Sequence, residues 1–371
     1  MMVPDARAVG GTDSADVATK RISAEALTAF TTQVLSACGV GDADAATVAA
    51  VLVASDVRGI SSHGVARLKY YVSMIEAGTI DPRAQSVLVR QSATTAILDA
   101  SNGLGQPVGV RAMMLAMEKA AAHDVGVVTV RHSNHYGIAG YYAMMALERD
   151  MIGVSLTNTH PAVAPTGGRR PTIGTNPIAI AVPTDESLPF VLDMATSVVP
   201  RGRLEVAARQ GASLPAGWAL DARGAGATNP EAALDGALLP LGGPLLTSGY
   251  KGYGLAVAVE LLAAVLPGSL YGPLVGSMWD TARPSDLGQF FMAINVAAFD
   301  EPAAFKARAG DLLRRIKDSP LADGATEILV AGEKEQRAAS EAHRRGIALD
   351  PIVAAQLSQL AARYDAPPLV I

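Results

Sequence analysis

The sequence predicts a layered α/β protein, and three observations support this fold class. Half of the 371 residues are apolar and only 18% are charged, so the chain can bury a sizeable core. Segments with strand character alternate with segments of helix character, as in SVLVRQSATTAILDAS, NGLGQPVGVRAMMLAMEKAAAHDVG and VGVVTV. The length exceeds the size at which a single hydrophobic core stops growing, so more than one packed lobe is expected.

The other segments fit the same class. SAEALTAFTTQVLSACGV and DADAATVAAVLVASDVRG predict helices that begin at the good capping residues Ser23 and Asp42. MIGVSLTNTH, PIAIAVP and FFMAINVAAF predict strands, and GYKGYGLAVAVELLAAVLPG predicts a long buried helix with a glycine-rich start. Residues 209–249 predict surface loops and turns, whereas DLLRRIKDS and KEQRAASEAHRRG predict solvated amphipathic helices.

Composition and charge argue against several classes of protein. The formal net charge of -5 and the absence of a long Lys/Arg run give no attraction to nucleic acid or anionic lipid. No apolar run reaches the roughly 20 residues that a membrane-spanning helix needs. The one cysteine, Cys38, cannot form an internal disulfide, which is consistent with a cytoplasmic location. Residues 1–20 resemble neither a secretory signal nor a transit peptide and are expected to form a loose extension.

A glycine-rich stretch from Gly103 to Gly109 follows a predicted strand and opens a predicted helix. Its spacing is G-x-G-x-x-x-G with a proline inside, whereas the dinucleotide-binding fingerprint is G-x-G-x-x-G. No clear acidic partner follows about 20 residues later, where that fingerprint places one. The stretch therefore predicts a tight helix start and not a Rossmann domain.

Three histidines form the first candidate for chemistry. His132 and His135 are spaced one helical turn apart, and His160 follows. No HExxH motif, cysteine pair or suitably spaced carboxylate accompanies them, so a metal site is disfavoured. His132 is equally well explained as a buried structural residue. His135 lies in the polar Ser-Asn-His-Tyr-Gly cluster, where a histidine with a reference pKa of about 6.5 can donate or accept a proton.

A second candidate lies at Ser62, His63, Arg67 and Tyr71. If a helix begins at Gly64, Arg67 and Tyr71 are i, i+4 neighbours on one face with His63. A guanidinium suits a bidentate grip on a carboxylate. The alternative is an arginine on a solvated helix face, and spacing alone leaves both open.

Three further segments contain glycine or polar residues next to predicted strands and helices. Turn chemistry explains the segments 174–177 and 193–197 on its own. Lys251 is flanked by glycines ahead of a predicted helix, which is typical of an anion cradle. A flexible loop with an incidental lysine is the alternative.

Taken together, these segments resemble the malate/L-lactate/sulfolactate dehydrogenase family, which also contains ureidoglycolate and Δ1-piperideine-2-carboxylate reductases. The resemblance runs from about Ile22 to about Leu349. It rests on motifs in the family's order: RGISSHGVARLKYY, SNHYGIAGYYA, LTNTHPAVAP, GTNPIAIAVP, DMATSVVPRG and SGYKGYGLA. It implies hydride transfer between NAD or NADP and a 2-oxo or 2-imino acid. It also implies a non-Rossmann nucleotide-binding fold, with a mixed sheet and flanking helices.

The resemblance also implies roles for individual residues. Ser62 and His63 would lie at the reacting centre, Arg67 and Tyr71 would bind the substrate, and His135 would be the second proton-handling candidate. Relatives do not settle which histidine transfers the proton, so both stay open. The implied cofactor residues are Tyr136, Gly137, Ile138, Ala139, Thr159, Asp193, Met194, Ala195, Lys251, Gly252, Gly332, Glu333 and Lys334. Glu260, where many relatives have Asp, and the AGEKE wording around Gly332 depart from the family pattern.

The organisation implied by the resemblance is a homodimer of two-lobed chains. Residues 21–115 with 325–371 would form a helical, substrate and dimerisation lobe, and residues 116–324 an NAD(P)-binding lobe. The motif wording favours a small 2-hydroxy acid, first malate and then lactate or sulfolactate, with a cyclic 2-imino acid as the alternative. Arg201 and Arg203 would favour NADP by meeting its 2′-phosphate, whereas Asp193 would repel it. A non-catalytic ligand-binding descendant and a three-histidine metallohydrolase are further alternatives.

Overall fold

The computed structural model describes residues 21–369, so the predicted extension over residues 1–20 lies outside the described residues. Eleven α-helices lie within this range: α1 Ala24–Ala37, α2 Asp42–Val57, α3 Leu68–Glu76, α4 Gly105–His123, α5 Ala139–Met145, α6 Arg201–Gln210, α7 Pro230–Leu234, α8 Gly249–Glu260, α9 Pro302–Lys317, α10 Glu333–Arg345 and α11 Pro351–Arg363. The same range holds twelve strands: β1 Arg21–Ile22, β2 Val87–Gln91, β3 Thr95–Asp99, β4 Val125–Ser133, β5 Met151–Thr157, β6 Ile178–Val182, β7 Phe190–Met194, β8 Ala219–Leu220, β9 Gly226–Ala227, β10 Ala237–Leu238, β11 Leu287–Asn295 and β12 Ile347–Ala348.

Seven of these strands form the main sheet, in the order β2-β3-β4-β11-β5-β6-β7. β3 and β4 are parallel and are connected by α4, whereas the other neighbouring pairs of this sheet are antiparallel. A Rossmann domain has a mostly parallel sheet. The predicted mixed sheet of a non-Rossmann α/β fold is therefore confirmed.

Helices cover both faces of the main sheet. Phe291 packs with α4 and α5 in one core, and its neighbour Phe290 packs with Val259 and Ala263 in another. Successive residues of a strand point to opposite faces, so these two cores lie on the two sides of the sheet. The flanking helices of the predicted fold are thus present on each side.

A separate helical core lies beside the sheet. It contains buried residues of α1, α2, α3 and α11 together with the short β1–β12 pair. Another small core joins α6 and α7 to the sheet of β8, β9 and β10. β2, β3 and α4, from the first predicted lobe, belong to the main sheet and its core. The exact division into two lobes stays a prediction.

The predicted helix starts were right to within one residue. Ser23 caps α1, because its side-chain oxygen accepts a hydrogen bond from Ala26 N–H at 3.1 Å. The second prediction was wrong by one residue, since Gly41 is the N-cap of α2 and Asp42 is already helical. An acidic residue in the first turn still stabilises the helix through the helix dipole.

Three local predictions were wrong. Residues 209–249 do not form only surface loops, because they contain the buried β8 to β10 sheet and α7. The segment 193–197 is not entirely a turn, because Asp193 and Met194 lie within β7. α8, which continues as a π-helix over Leu261–Val265, is not buried all round and exposes an apolar stripe. None of the helices between residues 21 and 369 combines the length and apolarity that crossing a membrane requires.

Glu260 at the end of α8 connects three segments of the chain that lie beside the main sheet. Its buried carboxylate accepts hydrogen bonds from Asn158 Nδ2 at 3.3 Å, Asn176 Nδ2 at 2.5 Å and Gly272 N–H at 2.7 Å. A buried carboxylate without such donors would be strongly unfavourable. The departure from the family pattern at this position therefore lies at a structural junction and not in a site.

Candidate active site

The segment between α2 and α3 carries Ser62, His63 and Arg67. It forms two turns of 3-10 helix, Ser61–His63 and Val65–Arg67, and not the single helix that the i, i+4 spacing predicts. Asp56, buried near the end of α2, accepts a hydrogen bond from Val65 N–H at 2.8 Å. A Cβ atom at Gly64 would lie only 2.0 Å from Asp56 Oδ1, so glycine alone fits there. Asp56 therefore fixes the conformation of this segment.

The burial of Asp56 changes its acidity. Burial raises the pKa of Asp56 to about 7, and the single hydrogen bond from Val65 N–H lowers it by less than burial raises it. The carboxyl group is therefore partly protonated near neutral pH.

His63 and Arg67 both contact Ser62. His63 Nδ1 lies 2.9 Å from Ser62 Oγ, and Arg67 Nε donates to Ser62 O at 2.6 Å. Burial, and then the positive charge of Arg67, lower the pKa of His63 to about 4. Among the described residues, no Asp or Glu forms an ion pair with Arg67. The imidazole of His63 is thus neutral at pH 7 beside an unpaired guanidinium.

His135 meets this segment from the main sheet, just after β4. Gln106 Nε2 donates to Tyr71 Oη at 2.8 Å, so the Tyr71 hydroxyl proton is directed to His135 Nδ1, 2.6 Å away. Gly137 N–H also points at His135 Nδ1, at 3.4 Å. Because Nδ1 accepts both bonds, the neutral ring of His135 carries its proton on Nε2.

The two candidate histidines lie together. The rings of His63 and His135 are stacked with centroids 5.7 Å apart. Burial lowers the pKa of His135 well below its ordinary value, and the nearby His63 and Arg67 lower it further. Two neutral imidazoles of this kind can exchange protons or donate hydrogen bonds without a metal ion.

A cavity of about 100 Å³, which we call the histidine cavity, opens in front of these groups. Its polar lining comprises Ser62, His63, Arg67, His135, Thr159, Thr175, His160, Arg201, Glu205 and Ser285, and Trp279 lies beside them. The sequence did not predict Arg201 or Trp279 here. His160 was considered only as a metal ligand. It packs edge-on against Trp279 at 4.8 Å, and burial followed by the charges of Arg201 and Arg67 lowers its pKa to about 4.

A second cavity of about 120 Å³, the Asp193 cavity, brings together two residues predicted from distant motifs, Asp193 and Gly332. Asp193 Oδ2 accepts a hydrogen bond from Gly140 N–H at 2.7 Å. Its Oδ1 atom has no hydrogen-bond partner within residues 21–369. Burial raises the pKa of Asp193 to about 6, although the Gly140 N–H and Arg58 act in the opposite direction.

The two cavities are neighbours along the chain. Arg58 and Ile60 line the Asp193 cavity and Ser62 and His63 line the histidine cavity, while Gly140 and His135 contribute to these cavities from a second segment. Positions two residues apart lie within about 7 Å of each other. The linings of the two cavities therefore approach each other at Ile60 and Ser62.

Several predicted cofactor residues lie in the core. Tyr136, Ile138 and Ala139 are buried, and the Tyr136 ring stacks on Tyr142 with centroids 4.7 Å apart. The Tyr136 hydroxyl lies 3.0 Å from Ser155 Oγ. These side chains position the loop after His135, and a cofactor role for them stays a prediction.

Other predicted residues line neither cavity: Gly137, Met194, Ala195, Lys251, Gly252, Glu333 and Lys334. The carboxylate of Glu333 forms ion pairs with Lys317, at 2.8 Å from Nζ to Oε1, and with Arg337, at 2.9 Å from a terminal guanidinium nitrogen to Oε1. Lys251 and Lys334 are exposed. Tyr71 is buried behind His135, so its assignment to the substrate also stays a prediction.

His132 is separate from this site. It lies one residue before the end of β4 in a left-handed conformation with φ 51°, and its Nδ1 atom lies 2.9 Å from Asp99 Oδ2. The helical spacing assumed for His132 and His135 was wrong, because neither lies in a helix. No group of three or more His, Cys, Asp or Glu residues able to hold a metal ion is found in the described part of the chain.

Residues 22–358 match the family described as malate/L-lactate dehydrogenase. The chain is 44% identical over 345 residues to the malate dehydrogenase of Pyrococcus abyssi, covering 92% of this chain and 94% of that protein. It is 43% identical over 304 residues to the L-sulfolactate dehydrogenase of Methanocaldococcus jannaschii, covering 82% and 86%. The solved structure of malate dehydrogenase from Pyrococcus horikoshii OT3 is similar with a TM-score of 0.88 and 40% identity, covering 94% and 97%.

These similarities and the fold define the class of the protein as a dehydrogenase, an oxidoreductase whose chemistry requires a nicotinamide cofactor. Within that class, the chain belongs to the malate/L-lactate dehydrogenase family. The resemblance seen in the sequence motifs is confirmed.

The first prediction concerns Asp56. The unfolded pKa of Asp is about 3.9, so between about pH 4 and pH 7 the folded protein retains a proton that the unfolded chain has lost. This group's contribution to stability is therefore fully present below about pH 4 and is lost as the pH rises towards 7. Asp56→Asn removes this titration. The difference in free energy of unfolding between Asp56→Asn and wild type should therefore shift in favour of the variant by about 3 kcal/mol between pH 5 and pH 8.

Urea unfolding of both proteins at several pH values measures this difference. Asp42→Asn, at an exposed position at the start of the same helix, is the matched control and should show no comparable trend. Parallel pH curves for Asp56→Asn and wild type would contradict the prediction.

Proposed function

We propose that this dehydrogenase interconverts small 2-hydroxy acids and 2-oxo acids, with malate and oxaloacetate as the first pair and lactate or sulfolactate next. The observation that carries the proposal is the unpaired guanidinium of Arg67 beside the two neutral imidazoles of His63 and His135 in one cavity. A 2-oxo acid has a carboxylate adjacent to a carbonyl group. The cavity offers a partner for each of these groups.

Arg67 would hold the substrate carboxylate. Its Nε atom is already bound to Ser62 O, which orients the guanidinium and leaves its terminal nitrogens for a carboxylate. This pairing also places the substrate carbonyl next to the two histidines. The substrate carboxylate would offset the charge of Arg67 and so raise the pKa of His63 from about 4 towards the working range of a proton carrier.

The two histidines would have different roles at the reacting oxygen of the substrate. His135 would donate its Nε2–H to that oxygen, because its Nδ1 is occupied by Tyr71. His63, with Nδ1–H on Ser62 Oγ, would accept the hydroxyl proton at Nε2 during oxidation and return it during reduction. A bound nicotinamide would supply the hydride chemistry at C2 of the acid, while His63 and His135 handle the proton and the oxygen.

NAD is the proposed form of the cofactor. The Asp193 cavity would hold a ribose, because Asp193 Oδ1, which has no hydrogen-bond partner among the described residues, can accept a hydrogen bond from a ribose hydroxyl group. Asp193 and Glu335 outnumber Arg58 in its lining, which disfavours a 2′-phosphate. Arg201 lines the histidine cavity instead, so it supports no 2′-phosphate site.

A spectrophotometric assay tests the function. NADH and NADPH are offered in turn with oxaloacetate, pyruvate, sulfopyruvate and Δ1-piperideine-2-carboxylate, and absorbance is followed at 340 nm. We expect the fastest oxidation with NADH and oxaloacetate. Turnover of the cyclic imine alone would replace the proposal with the imino-acid alternative, and the lack of both turnover and NAD(P)H binding would overturn it.

Arg67→Lys tests the carboxylate assignment. Lysine keeps the charge but loses the planar fork, so the KM for the oxo acid should rise about 10- to 100-fold. The KM for NADH should change less than about two-fold, because Arg67 lines the histidine cavity and does not line the Asp193 cavity. Arg83→Lys, at an exposed position, serves as the control. Equal increases in both KM values for Arg67→Lys would refute the role of Arg67.

We also propose that the chain forms a homodimer. One face of α8 and the π-helix after it exposes a continuous apolar stripe: Tyr250, Leu255, Leu261, Leu262, Val265 and Leu266, each between 40% and 59% exposed. Contiguous exposed apolar surface of this kind marks an interaction site. Analytical ultracentrifugation of the wild type at micromolar concentration should give twice the chain mass. Leu262→Glu should lower this measured mass towards that of one chain, whereas Leu312→Glu, on α9, should leave the measured mass unchanged. A monomeric wild type would contradict the proposal.

A cytoplasmic location fits this function, because the reaction depends on a pool of nicotinamide cofactor. Free Cys38 in the folded chain agrees with a reducing compartment. Cell fractionation with detection of the protein would test the location, and recovery outside the cytoplasmic fraction would exclude it.

A further inference from the structure

A second arginine, Arg201, lines the histidine cavity together with Arg67. It begins α6, directly after Pro200. Its neighbour Arg203 is exposed and does not line the cavity. The two arginines that the sequence suggested for one phosphate therefore lie in different environments.

The charge of Arg201 is only weakly compensated. Its Nε atom lies 3.6 Å from Glu205 Oε1, and both side chains are about half exposed. An exposed ion pair of this kind contributes little free energy. Arg201 NH2 also donates to Leu234 O at 3.3 Å, a neutral acceptor. A positive charge thus remains available on the cavity side of α6.

The pKa of His160 shows that both guanidinium groups lie near its imidazole. The positive charges of Arg201 and Arg67 both act on its imidazole, with Arg201 the stronger of the two. His160 therefore lies within reach of each charge, and the cavity lining holds two cationic groups, Arg67 and Arg201, and one acidic group, Glu205. A substrate with a single carboxylate would neutralise only one of them.

We propose that Arg201 is a specificity-determining residue that binds the second acidic group of a dianionic 2-hydroxy or 2-oxo acid. This inference rests on the proposed function and names its substrate class. Arg67 holds the carboxylate beside the reacting carbon, and Arg201 holds a carboxylate or sulfonate at the far end of the molecule. Monocarboxylic acids such as lactate and pyruvate lack a group for Arg201.

The test compares Arg201→Gln with the matched control Arg203→Gln, which removes the same charge from the same helix outside the cavity. For Arg201→Gln we expect kcat/KM for oxaloacetate to fall about 10- to 100-fold and that for pyruvate to change less than about three-fold. Arg203→Gln should leave both values within about two-fold. Equal losses with both substrates, or no loss, would overturn the proposal, as would a rise only in the KM for NADPH.

A binding measurement keeps the inference separate from the proposed function. Trp279 lies in the cavity and Trp218 is the second tryptophan of the chain, so Trp218→Phe leaves a single reporter in the site. Fluorescence titration with L-malate and L-lactate should show a selective weakening of malate binding by Arg201→Gln, again about 10- to 100-fold. Loss of malate preference would support Arg201 even if the oxo-acid assay were silent, and an unchanged preference would refute it.

Discussion

The buried carboxyl group of Asp56 is the constraint on which the geometry of the site depends. It lies beneath the Ser61–Arg67 segment, accepts Val65 N–H and fills the space that a side chain at position 64 would need. Burying an acid with one hydrogen bond is unfavourable, and such local costs are concentrated where a site needs a fixed geometry. Because Asp56 belongs to α2, the helical core sets the positions of His63 and Arg67.

The other half of the site depends on the main sheet. His135 follows β4, yet its ring is held by Tyr71 from α3, whose hydroxyl is in turn held by Gln106 from α4. This chain of hydrogen bonds crosses from the helical core to the core of the sheet. It fixes both the distance between the histidines and the tautomer of His135. A displacement of the two cores relative to each other would therefore change the proton chemistry as well as the shape of the cavity.

The sequence predicted the fold class and the helix and strand content well, because periodicity and capping are local properties. It also singled out His63, Arg67 and His135, which lie together in one cavity. It did not reveal Asp56, whose role depends on a contact nine residues along the chain, and it connected Arg201 with a 2′-phosphate, whereas α6 brings Arg201 to the histidine cavity. Tyr136 is a different case, because its side chain is buried in the core and its predicted cofactor role stays a prediction. Contacts between distant segments carry no periodic signal.

The electrostatics of the histidine cavity connect binding to proton transfer. Without a substrate, burial first and the charge of Arg67 second lower the pKa of His63, and Arg201 adds to the effect of burial at His160, so both imidazoles stay neutral. An anionic substrate cancels this repulsion as it binds. The groups that recognise the substrate would then also determine when His63 can hold a proton. A monoanion cancels less of the positive charge than a dianion, so selectivity in binding and selectivity in the chemical step would have the same physical origin.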